Sequence, residues 1–329
     1  MQIGIFASAG MLIFSPDKNA FRFEMCFFIY LRFPSLHPVQ KGKIFMTIYQ
    51  TVSEIKEFSA RCRKEGKSIG LVPTMGALHE GHASLIKKAA EENDVVIVSV
   101  FVNPTQFAPN EDFDAYPRQL KEDAKKAEEA GATVIFAPAP KEMYPSSDMT
   151  WVEVTGDITK VLCGKTRPTH FRGVTTVVSK LFNLTMPDRA YFGQKDAQQV
   201  EVLRRMVKDL FFNVELRILP IVREEDGLAK SSRNIYLSDA ERKAALVLSK
   251  SLIHAKELVL QGENRGDILI QKVREDIEAE PLADIDYIEI YGLPGLVPVT
   301  SPLTGRNLLA LAVRFGTTRL IDNIVLEVK

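Results

Sequence analysis

Little in this chain of 329 residues points to a specialised environment. Its three cysteines, Cys26, Cys62 and Cys163, are odd in number and far apart. That spacing suits neither a disulfide framework nor a zinc site with paired cysteines, and a reducing cytoplasm is the compartment it implies. Net charge is missing too: 42 lysines and arginines balance 42 aspartates and glutamates. No general field therefore draws the chain to nucleic acid or to an anionic membrane, and any anionic ligand must be held by a local cluster of donors. No apolar run reaches the roughly 20 residues that span a bilayer. A glycine triplet with dinucleotide spacing, a Walker lysine motif and the His-Glu-x-x-His pattern are all absent. These absences argue against a nicotinamide enzyme, a P-loop enzyme and a zinc hydrolase.

What is present is a globular composition, 46% hydrophobic and 26% charged, in a chain long enough for two domains. Residues 1–45 stand apart, with 8 of the 19 phenylalanines. Their apolar start lacks a preceding basic region, and Asp17-Lys18 interrupts it, so a signal peptide is not indicated. The favoured reading is a mis-assigned upstream translation or disordered extension, with Met46 as the true start. The alternative is an arm that packs its aromatics on a partner.

From residue 46 strands and helices alternate. Thr51 with Glu54 is a capping box opening a helix to about Lys64. Strands are predicted at 68–73, 95–102, 133–137, 190–192 and 214–219, and helices at 80–92, 117–130, 174–184 and 197–210. The run Val95 to Val102 is almost wholly apolar and β-branched, as expected of a central parallel strand covered on both faces. The pattern implies an α/β fold, a doubly wound Rossmann-like parallel sheet over residues 46–225. The character changes at 226. A second capping box, Ser238 with Glu241, starts a helix to about Leu260; another helix spans 267–278, and strands follow at 286–291, 308–315 and 319–327. Residues 226–329 read as a smaller C-terminal α+β domain.

Three segments fall where the chemistry of an open sheet is found, at strand ends. The first is Met75-Gly76-Ala77-Leu78-His79-Glu80-Gly81-His82. Gly76 and Gly81 leave room for phosphate near the backbone, and the following helix offers free N–H groups. The two histidines fall on one face of its first turn, where an imidazolium can donate to charge on phosphate oxygen. The second segment is Gly193-Gln194-Lys195-Asp196, with a glycine for close approach and a lysine for phosphate. The third is Lys230-Ser231-Ser232-Arg233 at the join of the domains, a hydroxyl and guanidinium set able to clamp a triphosphate. Two groups of neutral amides, Asn103 with Gln106 and Gln198 with Gln199, suit a small organic acid. Each segment alone also fits a plainer reading: surface histidines, an ordinary turn, a solvated linker, capping amides.

Together they are specific. The strings Leu71 to His82, Phe101 to Phe107, Tyr116-Pro117-Arg118, Arg167 to Val174, Tyr191 to Asp196 and Ser231-Ser232-Arg233-Asn234 resemble those of the pantothenate synthetase family, the pantoate–β-alanine ligases of the nucleotidylyltransferase superfamily. The resemblance runs from about Met46 to the C-terminus. It implies ATP-dependent activation of (R)-pantoate as an adenylate, then attack by β-alanine, with Mg2+ on the ATP phosphates and no confident metal ligand from the protein. It implies that Met75 to His82 bind ATP, with His82 as proton donor and His79 beside it. Gly193, Gln194, Lys195 and Asp196 would contact the nucleotide, Lys195 through phosphate and Asp196 through ribose; Val222 would meet adenine through its backbone. Lys230, Ser231, Ser232 and Arg233 would clamp the triphosphate, with Lys230 the least secure because the family often has an apolar residue there. Gln106 and Gln199 would hold pantoate, Gln106 also lying near β-alanine and Asn103 nearby. A cytoplasmic homodimer, a closing C-terminal lid and no nucleic-acid or membrane partner complete what the resemblance implies.

Overall fold

The computed structural model describes residues 46–108 and 111–328; the expectations for residues 1–45 lie outside them. Six strands form one parallel sheet: β1 (Thr47–Tyr49), β2 (Ile69–Thr74), β3 (Val95–Val100), β4 (Val134–Phe136), β5 (Arg189–Gly193) and β6 (Glu215–Leu219). Their order is β1-β4-β3-β2-β5-β6, every pairing parallel. β3 alternates its apolar residues between two cores. Val95 and Ile97 join Ile55, Leu71, Phe136, Leu181 and Leu203 on one face. Val96 and Val98 join Val72, Ile86, Ile135 and Tyr191 on the other. A strand covered on both sides has no polar face to show, which is why its sequence reads as a continuous apolar run.

The predicted helices are present, with differences at several ends; the one expected from Val174, for instance, begins at His170. The capping box at Thr51 is present on Val52–Lys64, and the helix Glu80–Glu92 begins where expected. The helix expected from Pro117 begins instead at Leu120 and ends at Glu129. The Arg118 guanidinium donates to the carbonyls of Phe113, Asp114 and Tyr116, wrapping residues 113–118 into a turn that delays the helix. The helix expected from Ser238 to Leu260 is two helices, Asp239–Ala244 and Val247–Leu260. They join through i→i+3 backbone bonds at Leu246 and Leu248.

A second sheet is antiparallel, in the order β10-β9-β7-β8, from β7 (Ala283–Gly292), β8 (Val297–Pro298), β9 (Gly305–Phe315) and β10 (Thr318–Val328). One face packs Leu309, Leu311, Val313 and Phe315 against Leu248, Leu252, Leu269 and Val273. The other packs Tyr287, Leu308, Ala310 and Ala312 against Leu162, Phe171, Ala197 and Val202. Burying both faces ties this sheet to the elements that carry the candidate site. Residues 222–230 form a short hairpin between the sheets. Its Arg223 makes a bidentate pair with Asp322 of β10 at 2.6 and 2.9 Å. Among the described residues no helix is long and apolar enough to cross a membrane.

Candidate active site

The order of the parallel sheet reverses direction between β2 and β5, and a crevice opens at the carboxyl ends of strands at such a point. β2 runs into Met75–His79 and β5 into Gln194–Asp196. A cavity of about 830 Å³ lies there. Its walls bring together Met75, His79, Gly81 and His82, Asn103 and Gln106, Gly193, Lys195, Asp196 and Gln199, and Val222, Ser231, Ser232 and Arg233. Residues from both ends of the matched strings thus share one space. Gly76, Ala77, Leu78, Glu80, Gln194 and Lys230 do not line it.

The loop after β2 is held by a residue that the sequence did not single out. Gly76 (φ +86°) and Ala77 (φ +50°) both take left-handed backbone. The Asp123 carboxylate accepts the Ala77 and Leu78 N–H groups at 3.0 and 2.7 Å, and the Lys126 ammonium donates to the Leu78 carbonyl at 2.7 Å. Asp123 is buried, and burial raises its carboxyl above the ordinary range against those two bonds. A Cβ on Gly76 would lie 3.0 Å from Asp123 Oδ2. A side chain at Gly76 would therefore press on Asp123. The string Leu120-Lys-Glu-Asp-Ala looks like a solvated charged helix; the signal was that Asp123 shares a face with Ala127, its partner one turn on.

Each histidine caps the helix that follows. His79 Nδ1 accepts the Gly81 N–H at 3.1 Å, and His82 Nδ1 accepts the His79 N–H at 3.3 Å. The rings lie 4.1 Å apart. A Cβ on Gly81 would come 2.8 Å from His79 Cε1, so Gly81 makes room for the ring. Burial first, then the Lys195 charge, lowers His79 to about 4. Burial, with His79 beside it, holds His82 well below its ordinary value. Burial therefore disfavours the imidazolium form of both rings. With both Nδ1 atoms accepting, the hydrogen-bond network assigns each proton to Nε2. The signature supplies two fixed Nε2–H donors.

The amide side is organised by Asn103, which is buried. Its Nδ2 donates to Gln106 Oε1 (3.1 Å) and to the Gly173 carbonyl (3.2 Å). Its Oδ1 accepts from the Thr105 and Tyr144 hydroxyls at 2.9 and 2.8 Å. An amide has two donors and two lone pairs, so Asn103 is committed to holding Gln106. The Gln106 carbonyl accepts from Arg167 Nη2 (3.2 Å) and His170 Nδ1 (2.9 Å). Burial, then the Arg167 charge, lowers His170 to about 4. Gln198 donates both amide hydrogens to the Ile158 and Val161 carbonyls at 3.0 and 2.7 Å, which leaves Gln199 as the amide of that pair not engaged in this way.

Gln194, Lys230 and Ser231 have structural partners. Gln194 Nε2 donates to Asn323 Oδ1 at 3.1 Å, and Asn323 Nδ2 returns bonds to the Gln194 and Lys195 carbonyls at 3.0 and 2.9 Å. This clasp ties the Lys195 loop to β10. Lys230 pairs with Glu80 at 3.1 Å, joining the two signature segments outside the cavity wall; Glu80 is largely exposed, so the pair adds little stability. Ser231 Oγ accepts the Arg233 N–H at 3.3 Å. Among the described residues no three His, Cys, Asp or Glu side chains are grouped to ligate a metal.

A family model described as Pantoate-beta-alanine ligase matches residues 47–325. The pantothenate synthetase of Acetivibrio thermocellus is 56% identical over 283 residues, covering 86% of this chain and 100% of that protein. That of Carboxydothermus hydrogenoformans is 52% identical over 283 residues, covering 86% and 100%. The solved pantothenate synthetase of Thermus thermophilus superposes with a TM-score of 0.80 at 45% identity, over 85% of this chain and 99% of that one. The pantoate-beta-alanine ligase of Francisella tularensis, solved with beta-gamma ATP and beta-alanine, gives 0.69 at 37% identity, over 85% and 97%. With the matched region spanning both sheets and every wall of the cavity, this chain belongs to the pantoate-β-alanine ligase family.

Proposed function

We propose that the cavity joins (R)-pantoate to β-alanine in two steps driven by ATP. A pantoate carboxylate oxygen attacks the α-phosphorus, forming a C–O–P bond as pyrophosphate leaves. The β-alanine amine then attacks the acyl carbon, the C–O bond breaks, and AMP departs as pantothenate forms. The observation that carries this reading is the make-up of one cavity lining: the two Nε2–H donors of His79 and His82 and the cations Lys195 and Arg233, together with the neutral amides Gln106 and Gln199. A carboxylate is a poor electrophile until adenylated. The protein must therefore align two anions and stabilise charge on the transferring phosphate.

In this reading His82 donates to the α-phosphate, His79 and Lys195 hold the phosphates, Asp196 meets the ribose, and the Val222 backbone meets adenine. Ser231, Ser232 and Arg233 clamp the triphosphate. Gln106 and Gln199 hold pantoate, and Asn103 acts by holding Gln106. Gly76, Ala77 and Leu78 shape the nucleotide loop, Gln194 fixes the Lys195 loop, and Lys230 fixes the hinge through Glu80. Magnesium enters on the ATP phosphates, whose oxygens suit it, and supplies charge neutralisation. Residues 226–329 act as a lid that keeps water from the adenylate, and the working unit is a cytoplasmic homodimer.

With pantoate, ATP and Mg2+, labelled pyrophosphate is expected to exchange into ATP without β-alanine. Adding β-alanine is expected to give AMP and pantothenate in equal amounts. Absence of pantoate-dependent exchange overturns the proposed substrate.

A further inference from the structure

Two adjacent acids line the cavity and have no part in the scheme above: Glu111 and Asp112. Each holds an arginine by the same edge. Arg233 Nε and Nη2 donate to Asp112 Oδ2 and Oδ1 at 3.1 and 2.9 Å. Arg167 Nε and Nη2 donate to Glu111 Oε1 and Oε2, the second at 2.6 Å. Paired, side-on bonds of this kind fix the plane of a guanidinium as well as its position. In both arginines the Nη1 amino group takes no part in the pair and has no hydrogen-bond partner among the described residues.

The pairs are shielded. Side-chain exposure is 32% and 25% for Arg233 and Asp112, and 20% and 22% for Arg167 and Glu111. Burial would raise the Glu111 carboxyl, but the Arg167 bonds and charge outweigh it and hold the group below its ordinary value. Burial likewise opposes the charge on Arg233, and Asp112 more than restores it. The two arginines adjoin different segments of the cavity lining. Arg233 follows Ser232, whose hydroxyl lies 3.2 Å from the Tyr116 hydroxyl of the same acidic loop. Arg167 also donates to the carbonyl of Gln106, at 3.2 Å.

We propose that Glu111 and Asp112 are positioning residues that set Arg167 and Arg233 as two pre-aimed anion anchors, Asp112 for the triphosphate side and Glu111 for the organic-acid side. Neither acid touches substrate. Each acts by fixing a guanidinium whose Nη1 group is left for ligand, so less freedom is lost when the anion arrives. Which anion each side receives rests on the proposed function.

The test measures, on the full chain, calorimetric Kd values for a non-hydrolysable α,β-methylene ATP with Mg2+ and for pantoate, alongside Tm. Asp112→Asn keeps the shape and removes the charge. It is expected to weaken the ATP analogue about tenfold or more, the scale of a lost charge-assisted anchor, with pantoate affinity within about threefold. Glu111→Gln is expected to show the reverse pattern. Asp112→Glu is expected to recover part of the lost nucleotide affinity. Wild-type nucleotide affinity in Asp112→Asn, or equal losses of both ligands with a lowered Tm, overturns the proposal. Tighter ATP-analogue binding also overturns it, by making Asp112 a competitor for Arg233. If the unmutated chain binds the analogue yet shows no pantoate-dependent exchange, the proposed reaction fails while the nucleotide arm of this test stands.

Discussion

Replacing His82 by alanine is expected to slow pantoate-dependent pyrophosphate exchange by about 10²-fold or more, the scale seen when a pre-aimed donor to a developing oxyanion is lost. The reason is local. His82 sits half-buried on the cavity wall, its Nδ1 is occupied by the His79 N–H, and its proton is thereby left on Nε2. The donor is oriented before ATP arrives. The same substitution removes one cap contact, so stability is expected to fall by about 0.5–2 kcal/mol, measurable as a modest drop in Tm with unchanged circular dichroism. Near-normal exchange by a folded His82→Ala chain removes His82 from the transition state.

Gly173→Ala is expected to have an effect of similar size at the turn that carries Gln106. A Cβ there would lie 2.3 Å from the Thr105 carbonyl oxygen, 2.6 Å from its carbon and 2.7 Å from the Gln106 nitrogen. All three are backbone atoms, so no rotamer change relieves the clash. The helix His170–Thr185 or the turn Pro104–Gln106 must move, and with it the Asn103 contact to the Gly173 carbonyl. A displacement of about 1 Å at a substrate-holding group costs on the order of 10²-fold. kcat/KM for pantoate is therefore expected to fall about 10²-fold, while ATP-analogue affinity changes by less than about threefold. Stability falls by about 1–3 kcal/mol through overpacking. Wild-type kinetics in this variant contradicts the geometry around Gln106.

The two substitutions also mark what could be read in the chain before folding. Elements with strong periodicity were legible: the buried run at β3, the capping boxes at Thr51 and Ser238, and three strands of the second sheet lie where local pattern puts them, whereas the two-residue β8 is too short to carry a pattern. The site strings were legible as strings. What each residue does within them was not, because that depends on contacts distant in sequence. Gly81 looks like space for a ligand, and its missing side chain also makes room for a ring two residues away. Asn103 looks like a ligand to the acid, yet Gly173 and Tyr144 consume its donors and acceptors. Asp123 looks like surface charge, yet it pins the loop 46 residues earlier. The start of the helix at Leu120 rather than Pro117 has the same origin, since Arg118 spends its donors on carbonyls behind it. Helix ends and catalytic loops are where such tertiary bonds override local preference.

The lowered basicity of the histidines is a further consequence of burial. Lys195 adds to the depression of both. A triphosphate entering the cavity brings negative charge that favours protonation, so ligand and proton support one another there. Either form of the ring donates from Nε2.

The central claim is that this cavity turns a carboxylate into an acyl adenylate. It is tested most directly by supplying pantoate labelled with 18O in both carboxylate oxygens, with ATP, Mg2+ and β-alanine. One labelled oxygen is predicted to appear in the phosphate of AMP and the other in the amide carbonyl of pantothenate, because the C–O bond breaks in the second step. AMP without label, with product formed, would contradict the account.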